Sequence, residues 1–273
     1  MKLSKNSRLL SRVILPLAGG GAALAVAASG AQAAPVAPAL NPDPMPSSFD
    51  FSDCPALQDG YQAAGSTCVS VVVTSGTFKL GNFDQAFTSP IRMTFASQFN
   101  KTTRKITPVF GKLRADKMPV IPGLFGDTGL TAVYAQPEYA GVFDQPTSTD
   151  FKIKIGLKIK LVNPVLGENC YLGSDSDPIT LNLSTGTTNP PPPNTPISGE
   201  AATVVLSQPP LAVRSAKHVD NAFAVPGAHG CLFGLGLADW LVNQIGGTPA
   251  AAGNNAMVYN EYIASKPYTA LGS

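Results

Sequence analysis

Residues 151–161, FKIKIGLKIKL, alternate apolar and polar positions without a break, and four of the intervening residues are lysine. In an extended chain successive side chains point to opposite faces. Phe151, Ile153, Ile155, Leu157, Ile159 and Leu161 then share one face, and Lys152, Lys154, Lys158 and Lys160 point the other way. A helix would scatter the same apolar residues around its circumference. Burying six such side chains supplies on the order of 10 kcal/mol before conformational entropy is subtracted. A slip of one residue would bury the lysines, so the register is strongly specified.

The same pattern recurs in weaker form. Residues 67–74, TCVSVVVT, read as a strand that turns at Ser75-Gly76 and pairs back through residues 77–80 as a hairpin. Ile91 to Phe95, Leu130 to Ala135, Pro178 to Leu183 (PITLNL) and Thr203 to Leu206 (TVVL) complete an expected core set. Near the C-terminal end the period changes: Phe233, Leu237, Trp240, Leu241 and Ile245 recur at helical spacing, and Gly246-Gly247 ends the run. The expected fold is mainly β, an antiparallel sandwich or barrel-like single domain with one short C-terminal helix. Trp240, the only tryptophan, is expected to plug the sheet. A faint echo joins Gly81-Asn82-Phe83-Asp84-Gln85 to Gly141-Val142-Phe143-Asp144-Gln145, with four identical residues. It reads either as a duplicated turn-plus-strand unit or as coincidence of β patterning.

Composition narrows the picture. Of 273 residues only 13% are charged, and Gly and Pro supply 26 and 25, which favours short strands joined by turns over long helices. Residues 1–33 have a basic start (Lys2, Lys5, Arg8, Arg12), an apolar run from Val13 to Ala28, and Ala31-Gln32-Ala33 as a small–x–small cleavage pattern. They read as a signal peptide, with a retained membrane anchor as the alternative, although the run is short for a span. Residues 34–48, rich in Pro and Ala, read as a flexible linker, leaving 49–273 as one β-rich domain. Without the four basic residues of the leader, 15 basic residues face 17 acids, a net charge of −2. That offers no general attraction to nucleic acid or anionic lipid. No cysteine directly follows the apolar run and the final KPYTALGS carries no apolar tail. The expected product has no membrane span after cleavage and is secreted, extracellular or loosely held at the envelope.

Four cysteines remain. An even count in an exported chain implies two disulfides. Three pairings are open, and Cys54–Cys68 with Cys170–Cys231 is favoured because the first two share a local Pro/Gly-rich loop. The second bridge straddles Asn189-Pro-Pro-Pro-Pro-Asn194, making that run a stiff loop inside the domain rather than a hinge. Spacing for a cysteine metal site is missing.

Catalytic signatures are sparse. Two histidines rule out a three-His metal site, and no HExxH, GxSxG, GxGxxG or Walker pattern occurs. Ser215, His218 and Asp220 lie close in sequence, but a triad is a spatial arrangement. Asp175 and Asp177 occupy positions one and three of a calcium-loop pattern that fails at Thr180 and Gly186, where Gly and Glu belong. They remain weak metal candidates; a turn ending at Asp177 is the plainer reading. No cofactor is expected. The lysine row reads as a solvated face, or as a basic stripe for an anionic cell-wall polymer, extended by Arg92, Lys101, Arg104 and Lys105.

Several patches taken together, FDFSDCPAL (49–57), TFKLGNFDQAFTSPI (77–91), ENCYLGSDSDPITLNLSTGTTNPPPPNTPISG (168–199) and FAVPGAHGC (223–231), are similar to a group of uncharacterised secreted proteins of actinobacteria. The resemblance covers most of the mature chain. It implies export and a shared architecture, without a substrate or catalytic residues. The leading expectation is a non-catalytic structural or binding protein outside the cell or at the envelope. A small-ligand or lipid carrier, a carboxylate-dependent hydrolase acting through acids such as Asp84 and Asp144, and an outer-membrane barrel are the alternatives.

Overall fold

The computed structural model describes residues 41–121, 132–146, 151–234 and 236–272, with backbone alone at 121, 233 and 234. The expected signal peptide, residues 34–40 of the expected linker, Leu130 and Thr131, and the side chain of Phe233 lie outside the described residues.

Two antiparallel sheets face each other across one buried apolar cluster, and neither closes into a barrel. The first contains β1 (Tyr61–Leu80), β2 (Phe83–Ala86), β3 (Ile91–Asn100) and β4 (Ile106–Arg114). The second contains β5 (Met118–Ile121), β6 (Val133–Asp144), β7 (Ile153–Val162), β8 (Tyr171–Leu172) and β9 (Ile179–Leu183). The chain then returns to the first sheet with β10 (Glu200–Gln208) and β11 (Leu211–Asp220), adds β12 (Ala228–His229) to the second, and ends with β13 (Ala256–Pro267) in the first. The strand orders are β10-β11-β13-β1-β3-β4, with β2 on β1, and β12-β8-β7-β6-β5, with β9 on β7.

β7 forms the floor of the core. Ile153, Ile155, Leu157, Ile159 and Leu161 are buried, and the lysines lie on the opposite face. The strand starts two residues later than the sequence pattern suggests. Phe151 has φ 38°, outside the extended region, and its carbonyl accepts a hydrogen bond from His218 Nε2 at 2.8 Å. Opposite β7 sit Val69, Val71, Val73, Phe78 and Leu80 of β1 and Ile91, Met93 and Phe95 of β3. At one edge of the sandwich Phe110 of β4 stacks on Tyr139 of β6 with ring centres 3.7 Å apart, and Phe143 packs 5.1 Å from Phe95.

The expected hairpin at Ser75-Gly76 is absent. β1 runs through it as a single 20-residue strand, with a register shift against β13 between Val73 and Ser75. The inward residues are odd-numbered before the shift (69, 71, 73) and even-numbered after it (78, 80). An extra residue at this point is what keeps both halves facing the core. Gly76, at φ 144°, lies so close to the Val258 carbonyl that a Cβ would collide with it. The turn signal thus marks a bulge.

Other expectations change as well. Residues 203–206 lie in the edge strand β10, where Val204 and Val205 are about half exposed rather than buried. The two halves of the sequence echo are not equivalent: residues 83–86 pair back onto β1, whereas Phe143 pairs forward with Ile155 of β7. Part of the expected linker is docked. Asn41 is buried and bonds the Thr74 hydroxyl at 3.2 Å, and the Asp43 carbonyl accepts from Tyr262 Oη at 2.7 Å. The chain continues as a strap across the outer face of the first sheet, where Phe49 and Phe51 cover Val213, Tyr262 and Ala264.

The disulfides join Cys54 to Cys68 and Cys170 to Cys231. The first is local in sequence, as expected, but Cys68 lies in β1 rather than in a loop, so the bridge fastens the strap to the middle of that strand. The second encloses β8 to β12 and the proline run, which is itself docked through Asn194, whose Nδ2 donates to the Asn221 and Asn255 carbonyls at 2.9 and 2.7 Å.

α1 (Leu237–Gly246) ends at Gly247, φ 59°, as the Gly-Gly signal predicts. Its orientation is the reverse of the expected one. The buried residues are the small stripe Ala238, Val242 and Gly246, while Leu237, Trp240, Leu241 and Ile245 face outward. Trp240 does not plug the sheet. A Cβ on Gly246 would strike the Phe83 ring, and Asn82 of the β1–β2 turn binds the last carbonyls, its N–H to Gly246 at 2.8 Å and its Nδ2 to Ile245 at 3.1 Å. That close approach admits only small side chains.

Leu181 is fully buried and Val205 is half exposed. Leu181→Ala is therefore expected to cost about 2–5 kcal/mol, and Val205→Ala less than about 0.5 kcal/mol. Urea unfolding midpoints for the two variants check this contrast.

Candidate binding face

The void between the sheets, lined by Phe78, Ile91, Leu157, Ile159, Met257 and their neighbours, amounts to about 30 Å³. Small-molecule sites measure roughly 300–1,000 Å³. The outer face of the second sheet carries lysines where a lipid-facing barrel strand would present an apolar band. No helix among the described residues is long and apolar enough to cross a membrane.

Asp84 in β2, Asp144 at the end of β6 and Asp177 in the turn before β9 are all exposed and lie on separate elements. Asp144 accepts from the Gln145 N–H at 2.8 Å and sits across from Lys154. Asp177 closes a turn, its N–H donating to Ser174 Oγ at 2.9 Å and its carbonyl accepting from the Ser174 N–H at 3.0 Å. Asp175 pairs with Lys158, Nζ to Oδ1 2.8 Å. Among the described residues no three His, Cys, Asp or Glu side chains gather as a metal site would require.

Strand alternation disposes of the Ser215-His218-Asp220 grouping. In β11, Ala216 joins the core between the sheets and Val213 joins the cluster under the strap, so even positions face inward and odd positions outward. Ser215 therefore lies on the opposite face from His218 and Asp220. The inward pair forms a buried polar seam between the sheets. His218 Nδ1 lies 2.7 Å from Glu261 Oε1, with both side chains essentially inaccessible. Its Nε2 donates to the Phe151 carbonyl at 2.8 Å. With an acceptor at each ring nitrogen, the doubly protonated imidazolium satisfies both contacts. Burial alone pushes its pKa down; the Glu261 charge, the hydrogen bond to that carboxylate and the bond to Phe151 together outweigh burial and raise it. Asp220 accepts from the Asn182 N–H of β9 at 2.6 Å and from the Ala222 N–H at 2.9 Å. Burial raises its pKa against the pull of those amides. Beside it, Ser184 and Val219 exchange both backbone hydrogen bonds at 3.0 and 2.9 Å.

What the second sheet does assemble is an outward row. His229 of β12 lies opposite Tyr171 of β8, Tyr171 opposite Lys160 of β7, and Lys160 opposite Gln136 of β6. Their chain neighbours Ala228, Leu172, Ile159 and Ala135 belong to the core, so all four side chains share the solvent face. At a strand spacing near 4.8 Å the row spans about 14 Å across the strands. A second row is Lys158 opposite Glu138, and a third is Val162 opposite Tyr134. Lys158 Nζ lies 5.5 Å from the Tyr171 ring centre, and Lys117 Nζ lies 5.0 Å from that of Tyr134. The Tyr171 and His229 rings stack at 6.3 Å, and His229 Nε2 donates to the Gly173 carbonyl at 2.9 Å. The bond to Asp175 holds the Lys158 ammonium above its ordinary value.

Two open grooves border the row. One holds Lys117, Tyr134, Gln136, Lys160 and Val162. The other holds Lys158, Asn169, Tyr171, Asp175 and His229. Lys152 and Lys154 are exposed, and Lys158 and Lys160 half-buried. Asp144, Glu138 and Asp175 stand among the four lysines, so the face is mixed in sign, and Lys160 has Gln136 and Tyr171 rather than a carboxylate across from it. Arg92 does not extend this row. It lies on the outer side of the first sheet, between the inward Ile91 and Met93, and Lys101, Arg104 and Lys105 lie at the β3–β4 connection of that sheet. Tyr134, Gln136, Tyr171 and His229 escaped sequence reasoning because only the strand register aligns them.

The His218 pKa is raised above its unfolded value near 6.5, so the folded state binds the proton more tightly. The resulting stability is fully present below about pH 6.5 and is lost as pH rises through the folded value. Urea midpoints measured from pH 5 to 9 are expected to fall over that window in the native protein and to flatten in His218→Gln. No family model matches the chain, and neither does any curated protein or solved structure.

Proposed function

We propose that this is an exported, non-catalytic envelope protein, related in architecture to the actinobacterial secreted group, that binds an anionic cell-wall polymer on the outer face of its second sheet. The observation that carries the reading is the transverse row His229–Tyr171–Lys160–Gln136, with the lysines of β7 beside it and an open groove on each side. Lysines supply charge attraction that salt screens, and aromatic side chains between them supply apolar contact and cation–π geometry. A polymer laid across the strands meets these groups at regular intervals. The small void between the sheets favours this reading over a carrier, and the exposed Asp84 and Asp144, set on separate elements, favour it over a carboxylate hydrolase. Two disulfides suit an oxidising location outside the cytoplasm.

The test is co-sedimentation with insoluble peptidoglycan that retains or has been stripped of its anionic polymer. Retention on the intact wall, release by salt near 0.5 M, and loss of most binding when Lys152, Lys154, Lys158 and Lys160 are all replaced by serine are the expected results. Tyr171→Ala is expected to weaken binding by roughly three- to tenfold while leaving the salt dependence in place, in line with an aromatic contact of about 1 kcal/mol. Equal binding to stripped walls, or unchanged binding by the four-lysine variant, would overturn the proposal.

A further inference from the structure

The outward stripe of α1 has no role in the binding face. Leu237, Trp240, Leu241 and Ile245 stand at spacings of three, four and eight residues and are 71%, 57%, 51% and 49% exposed. Only Gln244 interrupts the stripe. Together they present on the order of 400 Å² of apolar surface, a size at which a patch on a protein surface tends to be functional. The opposite side of the helix is already occupied: Ala238, Val242 and Gly246 pack inward, and Asn243 Oδ1 accepts from the Ala228 N–H at 2.6 Å. The one charged residue of the helix, Asp239, is turned to the Cys231 N–H at 2.8 Å. The exposed stripe is therefore large, apolar and uncharged.

We infer that this stripe is a membrane-surface contact: α1 lies in the plane of a lipid interface with Leu237, Trp240, Leu241 and Ile245 inserted at the headgroup–acyl boundary. Area decides against a second copy of the chain, because the patch offers about half of the ~800 Å² per partner that a stable dimer buries. Charge decides the kind of lipid. With no basic residue on the helix there is nothing to select anionic headgroups, and insertion depends on apolar burial alone. An indole beside leucine and isoleucine is the side-chain set that settles at such a boundary, apolar body inward and N–H toward water. This inference stands apart from the wall-polymer reading, since it uses a different element and a different force.

Trp240 is the only tryptophan in the chain, so its fluorescence reports on this helix whatever residues 1–40 do. The experiment mixes the full chain with phosphatidylcholine vesicles containing lipid brominated along the acyl chain. The expected result is a blue shift of the emission and quenching by the brominated lipid. Both are expected to be insensitive to salt, and in Leu237→Ser/Leu241→Ser the partition coefficient falls about tenfold or more. The double variant alters only exposed side chains; urea midpoints matching the native protein confirm that it folds. Vesicle binding that leaves Trp240 unquenched would sink the inference. So would an emission shift that follows protein concentration in the absence of lipid, which marks self-association instead.

Discussion

The structure depends on one constraint, that side chains along an extended strand alternate strictly between two faces. β7 obeys it over its length, and its five inward aliphatic residues form the floor on which the first sheet packs. A slip of one position would exchange those residues for lysines, so no neighbouring register competes. Because β7 is pinned, β6, β8 and β9 are pinned with it, and the outward row from His229 to Gln136 follows as a geometric consequence. Where β1 would break the alternation, a bulge restores it.

The two edges of the sandwich close by different physics. Phe95, Phe110, Tyr139 and Phe143 fill one with aromatic contact. The other is closed by buried polar groups, with Asp220 bonded to the Asn182 N–H of β9 and His218 linking Glu261 to the Phe151 carbonyl. Apolar packing tolerates small shifts, whereas a buried donor or acceptor that loses its partner carries a desolvation penalty of about 1–3 kcal/mol. The polar edge therefore defines how the sheets align. The strap adds a third layer, fastened by Cys54–Cys68 and by the exposed Arg114–Asp53 pair, which solvent screens.

The void between the sheets is small, and the contacts that distinguish this fold lie on its surface. Two surfaces differ in kind: the mixed lysine and aromatic face of the second sheet, and the uncharged stripe of α1. The first suits an extended anionic partner, met by charge and ring contact. The second suits an apolar phase and responds little to salt. α1 takes that orientation with Ala238, Val242 and Gly246 turned inward, Gly246 close against the Phe83 ring, and the bulky stripe on the far side.

Residues 151–161 determined their own strand, its faces and its register without reference to anything else, because alternation is a local property of the chain. Gly246-Gly247 ended α1 by the same local logic, and an even number of cysteines implied two bridges. The strands β11 and β13, both inside the first sheet, were not legible. Their inward faces carry His218, Asp220, Glu261 and Tyr259, and polar residues at inward positions erase the pattern on which strand recognition rests. They are tolerated there only because partners from distant segments satisfy them. The turn signal at Ser75-Gly76 became a bulge, and the apolar side of α1 became its outer side, because each outcome depends on what packs opposite: the Val258 carbonyl in one case, the Phe83 ring in the other. Local periodicity sets which residues share a face; only the assembled fold decides which face is covered.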